Sequence, residues 1–156
     1  MAMLRIGLIS DTHGLLRPEA RHALSGVDHI VHAGDICNAQ VLEQLGEIAP
    51  VTAVRGNNDR GGWADTLAER ETLQIGGATL LVLHDLQELD VDPAASGIDA
   101  VVSGHSHKPS VRKEHGVLFV NPGSAGPRRF RLPISLAFIE IAEGVPHARL
   151  QMLEVD

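Results

Sequence analysis

Apolar residues along this chain gather into short runs rich in β-branched side chains, and polar or glycine-containing segments separate them. The runs Leu4–Ile9, His29–His32, Val51–Val54, Leu80–Leu83, Ala100–Val102, Val117–Val120 and Ile134–Ile141 have the length and composition of strands. Thr72–Ile75 and Ala148–Val155 carry the same pattern more weakly. Two early segments follow a helical period instead. Pro18–Leu24 opens with proline at a first helical position, and Asn38–Ile48 has an asparagine N-cap followed by Val41, Leu42, Leu45 and Ile48 on one face.

The first half thus alternates strand and helix, which predicts a parallel sheet covered on both faces. In the second half, Gly76-Gly77 and Glu114–Gly116 stand between apolar runs as the short turns of antiparallel hairpins. A length of 156 residues suits one domain spanning 1–156, with mixed sheets and no linker, repeat or low-complexity tract.

Polar residues with metal-binding chemistry sit where the strands end. Leu4–Ile9 runs into Ser10-Asp11-Thr12-His13, His29–His32 into Ala33-Gly34-Asp35, and Val51–Val54 into Arg55-Gly56-Asn57-Asn58-Asp59. Leu80–Leu83 runs into His84-Asp85, and Ala100–Val102 into Ser103-Gly104-His105-Ser106-His107. Asp-x-His, Gly34-Asp35 and Gly56–Asp59 each read alone as an ordinary turn, and Gly-His-x-His is moderately specific because alternate residues beyond a strand can converge on one face; the order of all five fragments at successive strand ends is not that of chance turns. In open α/β sheets the carboxyl edge is where ligands bind. Two Asp, one Asn and four His form a nitrogen and oxygen donor set suited to Mn²⁺, Fe or Zn²⁺. Seven donors exceed the needs of one catalytic ion, which keeps an open position, and suffice for two ions that share a carboxylate.

Charge points the same way. A net charge of −7 argues against a nucleic-acid backbone as a major partner, with only the small cluster Arg128, Arg129 and Arg131 to oppose it. An acidic chain binds a phosphate ester only where cations reverse the local field. The single Cys37 excludes an internal disulfide and suits a reducing, cytoplasmic setting. No apolar run is long enough for a membrane helix, and the residues from Met1 to Leu4 read as entry to the first strand rather than as a leader.

At these residues the chain resembles the calcineurin-like metallophosphoesterase superfamily, in particular its small single-domain phosphodiesterase subgroup, which is related to the retromer sorting subunit. The resemblance runs from Asp11 to Asn121-Pro122-Gly123-Ser124. It implies a four-layer α/β/β/α sandwich of two mixed β-sheets with helices on both outer faces. It also implies two divalent cations, Mn²⁺ foremost, with Zn²⁺, Fe, Ni²⁺ or Mg²⁺ as alternatives. Asp11, His13 and His107 would hold the first, Asn57, His84 and His105 the second, and Asp35 would bridge them. A hydroxide shared by the ions would attack phosphorus in line. Many relatives carry His after the metal-binding Asn, and here that position is Asn58, which donates a hydrogen bond but no proton. Asn58 and Asp59 are the candidates for a catalytic part, and Asn58 and Asn121 for substrate binding.

The remaining polar residues carry plainer expectations. His32 reads as a core or ligand-supporting histidine, whereas His22, His29, His115 and His147 read as surface residues. Trp63 belongs either to a loop near the site or to simple packing. The function expected is a metal-dependent phosphodiesterase acting on a small phosphate ester. A broad phosphomonoesterase, or an interaction subunit that keeps the fold, is the alternative. A homo-oligomer is compatible with the sequence.

Overall fold

The computed structural model describes residues 3–155; Met1, Ala2 and Asp156, and with them the outer ends of the expected 1–156 domain, lie outside the described residues. Strands β1 (Leu4–Ile9), β2 (His29–His32), β3 (Val51–Ala53), β9 (Ser135–Ala142) and β10 (Val145–Met152) build one five-stranded sheet in the order β10-β9-β1-β2-β3. Strands β4 (Arg70–Ile75), β5 (Ala78–Leu83), β6 (Ala100–Val102), β7 (Ser110–Glu114) and β8 (Val117–Asn121) build the other, in the order β4-β5-β6-β8-β7. Both sheets are mixed. The β1–β2, β2–β3, β5–β6 and β6–β8 pairs are parallel, and the remaining pairs are antiparallel.

The sheets pack face to face because alternate residues of their central strands are apolar on both sides. Ile6, Leu8, Val31, Ala137 and Ile139 of the first sheet share one buried cluster with Leu80, Val82, Ala100, Val102 and Val120 of the second. The opposite face of the first sheet buries Ile9, Ile30 and Phe138 beneath α1 (Pro18–Ala23) and α2 (Ala39–Gly46), which contribute Ala20, Val41 and Leu45. On the outer face of the second sheet, Leu81, Leu83, Val101, Val117 and Phe119 are covered by Leu86, Leu89 and Ile98. The cover there is a 3₁₀ turn over Leu86–Glu88 with its flanking chain. The α/β sandwich expected from the resemblance is present, with the thicker helical layer on the first sheet.

Helix α2 begins as its sequence requires. The Asn38 side chain accepts a hydrogen bond from the Val41 amide at 3.1 Å, which satisfies one of the open N–H groups of the first turn. The hairpin at Gly76-Gly77 pairs Ile75 with Ala78, and both glycines have positive φ, as a two-residue turn of the right twist needs. Strand β10 starts at Val145, three residues earlier than the expected Ala148, and ends at Met152 rather than Val155. The cause is a second tight turn at Glu143-Gly144, with φ of 53° and 78°, which starts the return strand at once. Two elements were not legible. Strand β7 is exposed at every position and pairs with β8 at the sheet edge. The short helix α3 (Gly62–Asp65) carries Trp63 against the α1/α2 core, so packing rather than a place in the site accounts for that residue.

Among the described residues, no helix is long and apolar enough to cross a membrane.

Candidate metal centre

The parallel strands β1, β2, β3, β5 and β6 all end at one edge of the sandwich, and the turns that leave them converge there. The turns are held in an unfavourable backbone conformation. Asp11, His13, Asp35, His105 and His107, five of the seven expected ligands, have φ between 46° and 71°. For residues with a Cβ this region costs about 1–2 kcal/mol each. A dense set of hydrogen bonds compensates. The turns after β1 and β2 keep pairing beyond the sheet, through Asp11 N–H to Gly34 O at 3.0 Å and His13 N–H to Asp35 O at 3.0 Å.

Asp59 binds the second and third turns together. Its Oδ2 accepts from the Asp35 and Gly56 amides, and its Oδ1 from the Ile36 and Cys37 amides, at 2.8–2.9 Å. A carboxylate offers about four lone-pair directions, and all are used. Asp59 is 5% exposed, and its four backbone contacts hold these turns in place. Gly56 is required by the same turn, because a Cβ there would overlap the Asp35 amide and Oδ1. Gly104 is required likewise, since a Cβ would run into Ser10 Oγ.

Asn121 is engaged in a comparable way. Its amide donates to Gly104 O at 3.0 Å and to Ser106 Oγ at 3.1 Å, and its Oδ1 accepts from Gly123 N–H. It therefore shapes the His105–His107 turn instead of offering a free group to a substrate. Asn58 is exposed, donates from its amide to Asp35 Oδ2 at 3.0 Å, and gives its backbone N–H to Asp35 Oδ1 at 2.9 Å.

The ligand side chains fall into an inner and an outer set. Within the inner set, Asp11 Oδ1 lies 3.4 Å from His107 Nε2 and 3.9 Å from both His13 Nε2 and His84 Nε2. Asp35 Oδ2 lies 3.3 Å from His84 Nε2 and 3.8 Å from His13 Nε2. Two overlapping triads result, Asp11–His13–His107 and Asp11–Asp35–His84, each with donor atoms within 4.8 Å of one another. The outer set, Asn57 and His105, is exposed and lines a cavity of about 230 Å³ together with His84, Asp85, Arg55 and Glu69. The His105 ring meets that of His84 edge-on at 5.2 Å.

The electrostatics of this cluster favour a cation. Burial works against the His84 imidazolium, but the Asp35 carboxylate 3.3 Å away and the charge of Asp11 outweigh it and lift the pKa to about 9. Burial likewise opposes ionisation of Asp35, yet the adjacent His84 imidazolium and two hydrogen bonds from Asn58 hold its carboxyl well below the ordinary range. Asp11 is lowered too, with burial overcome by His107 and Ser10, whose hydroxyl donates to Asp11 Oδ2 at 2.7 Å. Cys37 is pushed up to about 11, by burial and then by the charges of Asp59, Asp35 and Asp11, which keeps it a thiol.

The donor set passes a test of fit for metal ions. Asp11 Oδ1, His13 Nε2 and His84 Nε2 are buried without a hydrogen-bond partner. Lone pairs left so in a native interior mark a ligand site, because their desolvation is otherwise uncompensated. Bonds of about 2.0–2.2 Å at tetrahedral or octahedral angles set donor atoms on one ion about 3.0–3.6 Å apart, close to the separations found here. His84 Nδ1 is 2.7 Å from Ala33 O, so donation there turns Nε2 toward the carboxylates, where it can take a metal once its proton leaves, the usual support of a metal-binding histidine.

Residues of the site that the sequence left unmarked are Ser10, which orients Asp11, and Asp85, whose carboxylate is 4.0 Å from His105 Nε2. Both adjoin residues that were marked. His32 is fully buried, as expected of a supporting histidine. Its Nδ1 accepts from Gly34 N–H at 3.1 Å, so Nε2–H faces Thr12 Oγ1 at 3.1 Å, and Thr12 passes the chain on to Ile36 O. Burial holds this ring neutral, with a pKa pushed down to about 3. His22, His115 and His147 are exposed, and His29 is half-buried against Thr52.

Residues 4–144 match the calcineurin-like phosphoesterase superfamily domain. The chain belongs to that superfamily. A probable metallophosphoesterase of Methanothermobacter thermautotrophicus is 37% identical over 130 residues, which span 76% of each chain. Phosphodiesterase YfcE of Escherichia coli K12 is 28% identical over 168 aligned positions, covering 88% of each. The crystal structure of Chaetomium thermophilum Vps29 superposes with a TM-score of 0.78 at 18% identity, covering 96% of this chain and 97% of that one, a likeness of fold. Superfamily membership implies divalent metal ions, and the donor cluster at this edge of the sandwich offers candidate residues to hold them.

Proposed function

We propose that this protein is a phosphodiesterase that works with two divalent cations, Mn²⁺ foremost, on small phosphate esters. The observation that carries the reading is the set of buried, unpartnered donor atoms, Asp11 Oδ1, His13 Nε2 and His84 Nε2, at the meeting point of the strand ends. Asp11, His13 and His107 would hold one ion and Asn57, His84 and His105 the other, with Asp35 between them. The ions, when bound, supply the Lewis acidity that makes water a nucleophile at neutral pH and neutralises the phosphoryl oxygens.

The chain's own residues then determine the class of ester. Asn58 is held against Asp35 and can donate a hydrogen bond to a phosphoryl oxygen while keeping its proton. Asp59 is consumed by four backbone amides. Neither can protonate a departing alkoxide. This favours diesters with a stable leaving group over alkyl monoesters, since a general acid is worth roughly 10²–10⁴-fold where one is needed. The 28% identity to a protein named as a phosphodiesterase supports the same choice.

A second reading is the interaction subunit that keeps the fold, as the resemblance to the family implies, and the Vps29 likeness of fold agrees with it. Assays of bis(p-nitrophenyl) phosphate and p-nitrophenyl phosphate with Mn²⁺, Mg²⁺, Zn²⁺, Ni²⁺ and a chelator separate the readings. Turnover of the diester that appears with Mn²⁺ and vanishes with chelator is expected. Preference for the monoester, or no turnover with any metal, contradicts the proposal, and the second outcome favours the interaction subunit.

A further inference from the structure

Beside the metal cavity lies a second cleft of about 300 Å³ to which, of the expected ligands, only His105 contributes. The two share His105 and Asp85, which form the partition between them. The far end of the second cleft holds Arg112 on the edge strand β7, with Ser103, Ser106 and Ser110 on its walls. The Arg112 guanidinium lies over the Phe119 ring, 4.5 Å from its centroid, which gives the cation a fixed platform. Its ion-pair partner is Glu114, two residues along the strand, and both side chains are about half exposed. Such a surface pair is weak and yields to a better anion. Asn121 forms the floor and holds the turn that carries Ser106 and His105, so the cleft is built by the same contacts that shape the site.

A phosphodiester has two organic arms, and phosphorus held at the ligand cluster must direct each into a neighbouring space. Of the charged residues lining the cleft, Asp85, shared with the metal cavity, repels an anion, and Arg112, not shared with it, attracts one. The walls between them offer hydroxyls, which suit a sugar. We infer that this cleft is the subsite for one substrate arm, and that the arm is a sugar bearing a second anionic group, a phosphate, read by Arg112. The guanidinium fork suits a phosphate in two-point contact, whereas lysine would supply only a point charge. The inference rests on the phosphodiesterase reading and names the substrate class for it: nucleotide-like diesters that carry a further phosphate.

The test uses the Mn²⁺-loaded full chain and a matched pair of substrates. One is thymidine 5′-(p-nitrophenyl phosphate); the other differs only in a 3′-phosphate. The unmodified protein should favour the second by about tenfold in kcat/KM, mainly through KM, in line with one charge-assisted contact. Arg112→Gln should bring the ratio near one, and Arg112→Lys should recover part of it. An equal ratio in the unmodified protein and in Arg112→Gln, or no preference in the unmodified protein, overturns the inference. If neither compound nor bis(p-nitrophenyl) phosphate is turned over with any metal, the phosphodiesterase reading has failed instead. Calorimetric titration with thymidine 3′,5′-bisphosphate then decides the cleft by itself. Binding weakened at least fivefold by Arg112→Gln upholds it, and unchanged binding rejects it.

Discussion

The inner and outer ligands of this site are built on opposite terms. Asp11, Asp35, His84 and His107 are buried, crowded, and tied by their own or neighbouring backbone to the next turn. Asn57 and His105 stand in solvent and pack loosely. The inner set concentrates negative charge and unpartnered lone pairs in a place where neither is stable without a cation. Strain follows the turns rather than burial, since exposed His105 shares the left-handed backbone of the buried ligands. The difference teaches that the inner set is organised before an ion arrives, whereas the outer set can close around one.

Removing Asp35, the carboxylate proposed to lie between two ions, should sharpen this contrast most. Asp35→Ala is expected to lower kcat/KM by about 10³-fold or more, beyond the roughly 10–100-fold typical of residues that only orient a ligand. His13→Ala should cost less, because it serves one ion. Steady-state rates on the diester, with metal content measured in parallel, check this. Comparable losses from the two changes would remove Asp35 from its shared position.

Asp59→Ala strikes the clamp. Four backbone amides lose their acceptor at once, and a cost of about 3–5 kcal/mol is expected from urea unfolding of the metal-free protein. His32→Ala should also destabilise, through the lost Gly34 and Thr12 contacts, yet leave measurable turnover in the metal-loaded form. Complete inactivation of a folded, metal-loaded His32→Ala protein would assign that ring to the chemistry. With its acceptor sites taken by four backbone amides, Asp59 has none left to orient an imidazole placed at position 58. Asn58→His should therefore flatten the dependence of kcat/KM on leaving-group pKa only weakly, a smaller effect that a series of aryl diesters would read.

The titration of the inner set has a definite sign in the metal-free protein. His84 is raised from 6.5 to about 9, so its contribution to stability is complete below pH 6.5 and is lost as pH rises through 9. His32 is lowered to about 3, so its contribution is present above pH 6.5 and is lost as pH falls toward 3. Stability should peak near pH 6–7, and His84→Gln should remove the alkaline slope. Because a metal takes the neutral imidazole, ion binding at pH 7 should release close to one proton from His84. Calorimetry in buffers of different ionisation enthalpy would measure it.

Much of this site was legible because its chemistry lies in short segments directly after apolar runs. Asp11, Asp35, His84 and His105–His107 could be marked from the ends of Leu4–Ile9, His29–His32, Leu80–Leu83 and Ala100–Val102. What escaped depends on contacts distant in sequence. Strand β7 has no apolar alternation and exists because β8 pairs with it. The commitment of Asp59 and Asn121 to backbone groups follows from how turns pack on one another, and a Gly-Asn-Asn-Asp string reads the same whether its aspartate is free or consumed. The Arg112 cleft needs the 3₁₀ turn and an edge strand to meet, which no local pattern announces.

Anomalous diffraction from a crystal of this protein soaked in Mn²⁺ tests the central claim most directly. Two peaks about 3.5–4 Å apart are expected, with Asp35 between them and with Asn57 and His105 drawn in from the rim. A single peak at Asp11, His13 and His107, with Asn57 and His105 left in solvent, would contradict the two-ion account.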